Sequence, residues 1–188
     1  MERRELLKMI TLATGGALIG GELLLSGCKI NAKPEGIFSA DDIAFLDEMA
    51  ETIIPKTNTP GAKDAEVGKF MTIMVNDCYE AKDQKIFHDG LIKLEEASKK
   101  KFSSSFMKIT AEQRKELLIE LDKEAKAYQK SKKETEPNHY FTMMKQLTLF
   151  GFFTSKRGAT EALRYVAIPG KYEGSVPYKK GDKAWATS

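Results

Sequence analysis

His139-Tyr140-Phe141-Thr142-Met143-Met144-Lys145-Gln146-Leu147-Thr148-Leu149-Phe150-Gly151-Phe152-Phe153 contains a single Lys, Arg, Asp or Glu, at Lys145, and its apolar side chains fall on almost every side of a helical period. A helix apolar nearly all round is either the centre of a bundle or is pressed against another protein. The amphipathic helices before it are enough to make one core, so its apolar area has no obvious internal partner.

Upstream, Thr110 with Gln113 forms a capping box for a helix that turns Leu117, Leu118, Leu121 and Ala125 inward and Glu116, Glu120, Asp122, Lys123, Glu124 and Lys126 outward. Earlier still, Ser39 and Asp42 start a helix carrying Ile43, Leu46, Met49, Ala50 and Ile53 at helical spacing, and Pro55 stops it. Pro55, Asn58, Pro60 and Gly61 then predict an ordered but irregular connection over 56–63. From about Asp64, Val67, Phe70, Met71, Met74, Val75 and Cys78 mark a second helix, with Cys78 expected on its buried stripe as a small core residue. A third helix runs from about Ala81 through Phe87, Gly90, Leu91, Leu94 and Ala97, with His88 expected half-exposed. Ser98 to Ser105 reads as a Lys/Ser-rich break, and Lys130 to Pro137 as a charged linker.

After the apolar helix, Ser155 caps a last short helix through Ala159, Ala162 and Leu163. From about residue 166 follows an extended tail rich in Pro, Gly and aromatics, ending near Trp185, the only tryptophan. The fold class is all-α: a single helical domain of about five or six helices over 39–188, tail included.

The 188 residues carry a formal charge of +3, with basic clusters matched nearby by acids. No one-sided field of the kind a nucleic-acid binder presents is coded, so nucleic acid is set aside as a partner. Cys28 and Cys78 are the only cysteines, and the haem motif C-x-x-C-H and the paired cysteines of zinc or iron–sulfur sites are absent. His88 and His139 are far apart in sequence, so no catalytic, cofactor-binding or metal-binding residue is assigned.

The first 27 residues read as a signal peptide. Glu2-Arg3-Arg4-Glu5-Leu6-Leu7-Lys8 resembles the export signal of the twin-arginine route, which carries folded proteins. Met9 to Leu25 is a glycine-interrupted apolar run, shorter and richer in Gly than a spanning helix, and reads as the apolar core of the signal. Leu25-Ser26-Gly27-Cys28 closes it as a lipoprotein signal does, making Cys28 the acylated first residue of the mature chain and 28–38 a tether. Localisation is then the bacterial cell envelope, lipid-anchored and facing the periplasm.

Three segments carry a family resemblance: Glu51-Thr52-Ile53-Ile54-Pro55 with Thr59-Pro60-Gly61-Ala62; Leu149-Phe150-Gly151-Phe152-Phe153-Thr154-Ser155; and Tyr165 through Pro169-Gly170-Lys171-Tyr172-Glu173-Gly174. In this order, over about Ser39 to Tyr178, the chain resembles the gluconate 2-dehydrogenase subunit 3 family, the small subunit of membrane-bound, flavin-dependent sugar and sugar-acid dehydrogenases. The resemblance implies a subunit without catalytic residues, needed to export and assemble a glucose–methanol–choline-type flavoprotein that binds FAD, with a cytochrome c subunit as a further candidate member. Cys28 is a departure, because better-known members use an ordinary twin-arginine signal; the partner's substrate need not be gluconate.

The expected partner surface is the apolar helix around Tyr140 to Phe153 with the tail from Tyr165 to Trp185, and its contact residues are Phe141, Phe150, Phe152, Phe153, Tyr172, Tyr178 and Trp185. The tail could instead cover that helix within the domain. Two rival classes are an enzyme, for which no nucleophile–base pair is evident, and a stand-alone helical scaffold lipoprotein of the envelope with no dehydrogenase partner.

Overall fold

The computed structural model describes residues 38–186 apart from 169 and 172. Arg3 and Arg4 of the expected export signal, the expected acylation site Cys28, the expected tether up to 37, and Tyr172 lie outside them. Within this range the chain is all-α, with helices α1 (Ala40–Ile53), α2 (Val67–Cys78), α3 (Ala81–Phe102), α4 (Ala111–Ser131) and α5 (Tyr140–Thr154), followed by a π-helical turn at Gly158–Ala162. Among the described residues no helix is long and apolar enough to cross a membrane.

Helix starts follow the local chemistry. Ser39 and Thr110 form complete capping boxes with Asp42 and Gln113, so two orphan N–H groups are satisfied at each start. α2 has no such cap, since Glu66 sits there in the left-handed conformation. Asp47 of α1 supplies the acceptor instead, taking a 2.7 Å hydrogen bond from Gly68 N–H.

α5 is the centre of the bundle. Tyr140, Phe141, Met143, Met144, Leu147, Thr148, Gly151 and Phe152 are buried along it, and it packs on all four other helices and the π-turn. Around it, Leu46, Met49, Val67, Met71, Val75, Phe87, Leu94, Leu117 and Leu121 complete one core. Burying each such side chain contributes about 1.5–3 kcal/mol relative to exposure. Thr148, fully buried, returns its hydroxyl to Met144 O at 2.9 Å and so adds no unsatisfied donor.

Two sequence expectations need correction. The predicted break at Ser98 to Ser105 is mostly helix, because α3 continues to Phe102. Ser98 is fully buried and donates to Ser104 O at 2.9 Å, while Lys99, Lys100 and Lys101 fill the last turn, where cations oppose the helix dipole. Only at Ser103, with φ of 53°, does the chain leave the helix. Cys78 is exposed, not on a buried stripe. It is the last residue of α2, past the final turn that meets the core at Val75, and Tyr79 packs against the core beyond it.

Candidate functional site

The phenylalanines of the α5 segment separate into two sets. Phe141 and Phe152 are 1% and 2% exposed, so they belong to the domain's own core and offer no surface to a partner. The expectation that they are contact residues is corrected: the helix is central, and its inward arc is wider than its apolar pattern alone could locate. Leu149, Phe150 and Phe153 remain exposed at 40%, 52% and 42%. Phe150 meets the ring of Phe70 on α2 edge-on at 5.7 Å, and Phe153 meets Phe152 at 5.1 Å. Gly151 lets α2 come this close, since a Cβ there would stand 2.5 Å from Phe70 Cδ1. The outcome is an apolar edge on the C-terminal half of α5.

Ser155 ends that helix and turns the chain. Its hydroxyl donates to Phe152 O at 2.7 Å and accepts from Gly158 N–H at 2.9 Å, which matches its expected capping role. After the π-turn the tail is extended and exposed, with Ile168 at 85% and Tyr178 at 76%. It nevertheless returns to its own root. Arg164 N–H donates to Ala184 O at 2.8 Å, Ala186 N–H donates to Arg164 O at 2.9 Å, and the Arg164 guanidinium lies 3.7 Å from the centre of the Trp185 ring. A cation–π contact of this kind is worth roughly 0.5–2 kcal/mol depending on its exposure.

The early motif is a loop held by carboxylates. Glu51 accepts from Lys56 N–H at 2.8 Å and from Lys63 N–H at 2.9 Å, and Asp64 accepts from Gly61 N–H at 3.2 Å while pairing with the Lys56 ammonium at 3.0 Å. The Lys56 ammonium, then the Gly61 amide, hold the Asp64 carboxyl below its ordinary range. One step away, Glu48 pairs with both Arg114 and Lys63, and Arg114 also donates to Phe106 O and Met107 O at 3.0 Å each. Sequence reading named Glu51 only within the family-like segment and gave none of these acids a structural role. Their one signal was position: Asp47, Glu48 and Glu51 sit together near the end of α1, next to a turn-dense loop whose backbone needs acceptors.

The two histidines stay apart. His88 stacks on Phe38 with ring centres 4.2 Å apart. His139 caps α5, its Nδ1 accepting from Phe141 N–H at 3.2 Å, and its Nε2 lies 3.8 Å from a Glu124 oxygen. Burial pushes its pKa down, Lys93 adds to this and Glu124 opposes it, so the ring is neutral at neutral pH, as a cap acceptor must be. Next to it, burial pushes the Tyr140 phenol up to about 12. These groups line an open cleft of about 650 Å³ together with Lys93, Lys100 and Tyr128. Among the described residues, no group of three or more His, Cys, Asp or Glu side chains is placed to hold a metal ion.

Comparison with known proteins finds one family whose pattern fits, described as gluconate 2-dehydrogenase subunit 3, matching residues 40–170. The match runs from the first residue of α1 through the π-turn into the tail. No curated protein and no solved structure matches the chain.

Proposed function

This chain belongs to the gluconate 2-dehydrogenase subunit 3 family, and we propose that it is the non-catalytic small subunit that exports, assembles and membrane-tethers an FAD-dependent sugar or sugar-acid dehydrogenase. The observation that carries the reading is the family match, whose range takes in the carboxylate-held loop, the α5 edge and the start of the tail. Membership in a family of dehydrogenase subunits suggests an accessory role in a dehydrogenase complex. The finer assignment adds a passenger. Arg3-Arg4 suits a route for folded cargo, and a chain with no cofactor motif of its own has little reason to use it unless it carries a partner that must fold around FAD first.

In this reading the catalytic subunit is a glucose–methanol–choline-type flavoprotein, with a cytochrome c subunit as a further candidate member. Cys28 holds the assembly on the envelope membrane, facing the periplasm. Phe150, Phe153, Tyr178 and Trp185 are the contact residues that the domain leaves exposed.

The test is export of the pair. With the full chain and the flavoprotein expressed together, Arg3→Lys/Arg4→Lys should hold both in the cytoplasm. A flavoprotein that still reaches the periplasm overturns the carrier role. In parallel, a palmitate analogue should label the wild-type chain and not Cys28→Ser, and labelling that survives the substitution removes the tether.

A further inference from the structure

The C-terminal tail is a closed loop. The backbone exchange between Arg164, Ala184 and Ala186, with the Arg164 guanidinium stacked on Trp185, fixes both ends of the segment between them. Near its far end the chain reverses in a second ordered turn, where Asp182 accepts from Lys179 N–H at 2.9 Å and returns its own N–H to Lys179 O at 3.0 Å. Lys183 then donates to Glu161 O in the π-turn, tying the loop to the domain again. Tyr178, Lys179 and Lys180 are left exposed at this turn.

Charge is concentrated here. Residues 156–188 hold seven Lys and Arg against Glu161, Glu173 and Asp182, an excess of four, whereas the whole chain has a formal charge of +3. All of the protein's net positive charge is therefore in the last stretch, and the bundle before it is close to neutral. A surface that joins lysines to exposed Tyr178, Ile168 and Trp185 suits an occupant that is acidic and carries apolar pockets.

We propose that residues 164–185 are a pre-closed basic loop that docks on an acidic surface of the dehydrogenase's catalytic subunit, with Tyr178, Lys179 and Lys180 at the contact; this rests on the accessory-subunit reading. Closure before binding reduces the ordering entropy that a free tail would lose on association. The lysines raise the rate of encounter and make it salt-sensitive, while Tyr178 supplies the anchor. A protein fits better than a lipid surface. Interfacial binding usually uses the apolar face of a helix, and this loop has none; in the chain it follows the π-turn that succeeds the exposed apolar edge of α5.

The experiment measures affinity between the full chain and its flavoprotein subunit across a salt series. Lys179→Glu/Lys180→Glu should weaken binding by about tenfold or more at low salt and flatten the salt dependence, as removal of steering charges does. Lys115→Glu/Lys123→Glu, an equal charge change on the exposed face of α4, should leave affinity near wild type. Because Trp185 is the only tryptophan, its fluorescence reports closure without any partner: Arg164→Ala should shift the emission, and an unchanged spectrum overturns the closed loop. If the wild-type chain binds the flavoprotein and the loop variant binds equally well, the docking proposal fails and the accessory-subunit reading stands. If the wild-type chain binds no flavoprotein, both fall. If the loop variant keeps the flavoprotein but loses sedimentation with phosphatidylserine vesicles, the occupant is the bilayer and the proposal is overturned.

Discussion

Asp47 on α1 and Gly68, the second residue of α2, are joined by a 2.7 Å hydrogen bond in which a carboxylate of one helix caps the start of the next. Burial raises the pKa of Asp47, while the Gly68 amide, and then Lys63, pull it down. A carboxyl with a raised folded-state pKa favours the fold when protonated; that contribution is present below the unfolded value and is lost as pH rises through the folded one. Near neutral pH the charge is a cost. Asp47→Asn keeps an acceptor oxygen and removes the charge, so it should match or exceed wild-type stability at pH 7, with any advantage shrinking toward pH 4. Asp47→Ala strands a buried N–H and should lose about 1–3 kcal/mol. Urea unfolding at both pH values decides it, and equal losses for Asn and Ala would contradict the account.

Gly61→Ala should disturb the carboxylate-held loop. Its new Cβ would land on the Glu51 carboxylate and 2.6 Å from Lys56 N. Moving Glu51 deprives Lys56 and Lys63 N–H of their acceptor, at a cost of roughly 1–3 kcal/mol. Hydrogen exchange at these two amides should quicken well before the core amides of α5 respond. Unchanged protection there would show that the loop does not depend on Glu51.

Phe141→Ala and Phe150→Ala, nine positions apart on one helix, should behave oppositely. The first empties a fully packed site and should destabilise by about 3–5 kcal/mol. The second removes a half-exposed ring and should cost the isolated domain little, yet weaken association with the flavoprotein subunit. Thermal melts paired with co-purification separate the effects, and a Phe150→Ala variant that melts as low as Phe141→Ala would place Phe150 in the core.

Cys78 should react as a surface thiol. A maleimide added to the native protein should modify it stoichiometrically without denaturant, because the side chain is exposed at the end of α2. Modification that appears only on unfolding would restore the buried-stripe expectation.

Much of the bundle is legible locally because helix signals are local. Ser39 with Asp42 and Thr110 with Gln113 announce their helices within four residues, and the inward set Leu117, Leu118, Leu121 and Ala125 is the buried set of α4. From sequence the α5 segment stands out as either central or pressed against a partner, and only its packing on all four other helices decides for the centre; where every side is apolar, periodicity cannot tell Phe152 from Phe153. Ser98 and the lysines after it look like a loop by composition, and only the burial of Ser98 against Ser104 shows why the helix continues. Asp47, Glu51 and Arg164 act through partners distant in sequence, such as Gly68, Lys63 and Trp185, and no local rule connects them.

The order in which the chain leaves the ribosome gives the central position of α5 a temporal meaning. α1 to α4 emerge first, each with an apolar stripe whose common partner has not yet been made. Until Thr154 clears the exit tunnel they can pair only around a vacant axis, exposing the surfaces that aggregate or recruit chaperones. Burial of the residues that face α5 is thus deferred until α5 itself is made.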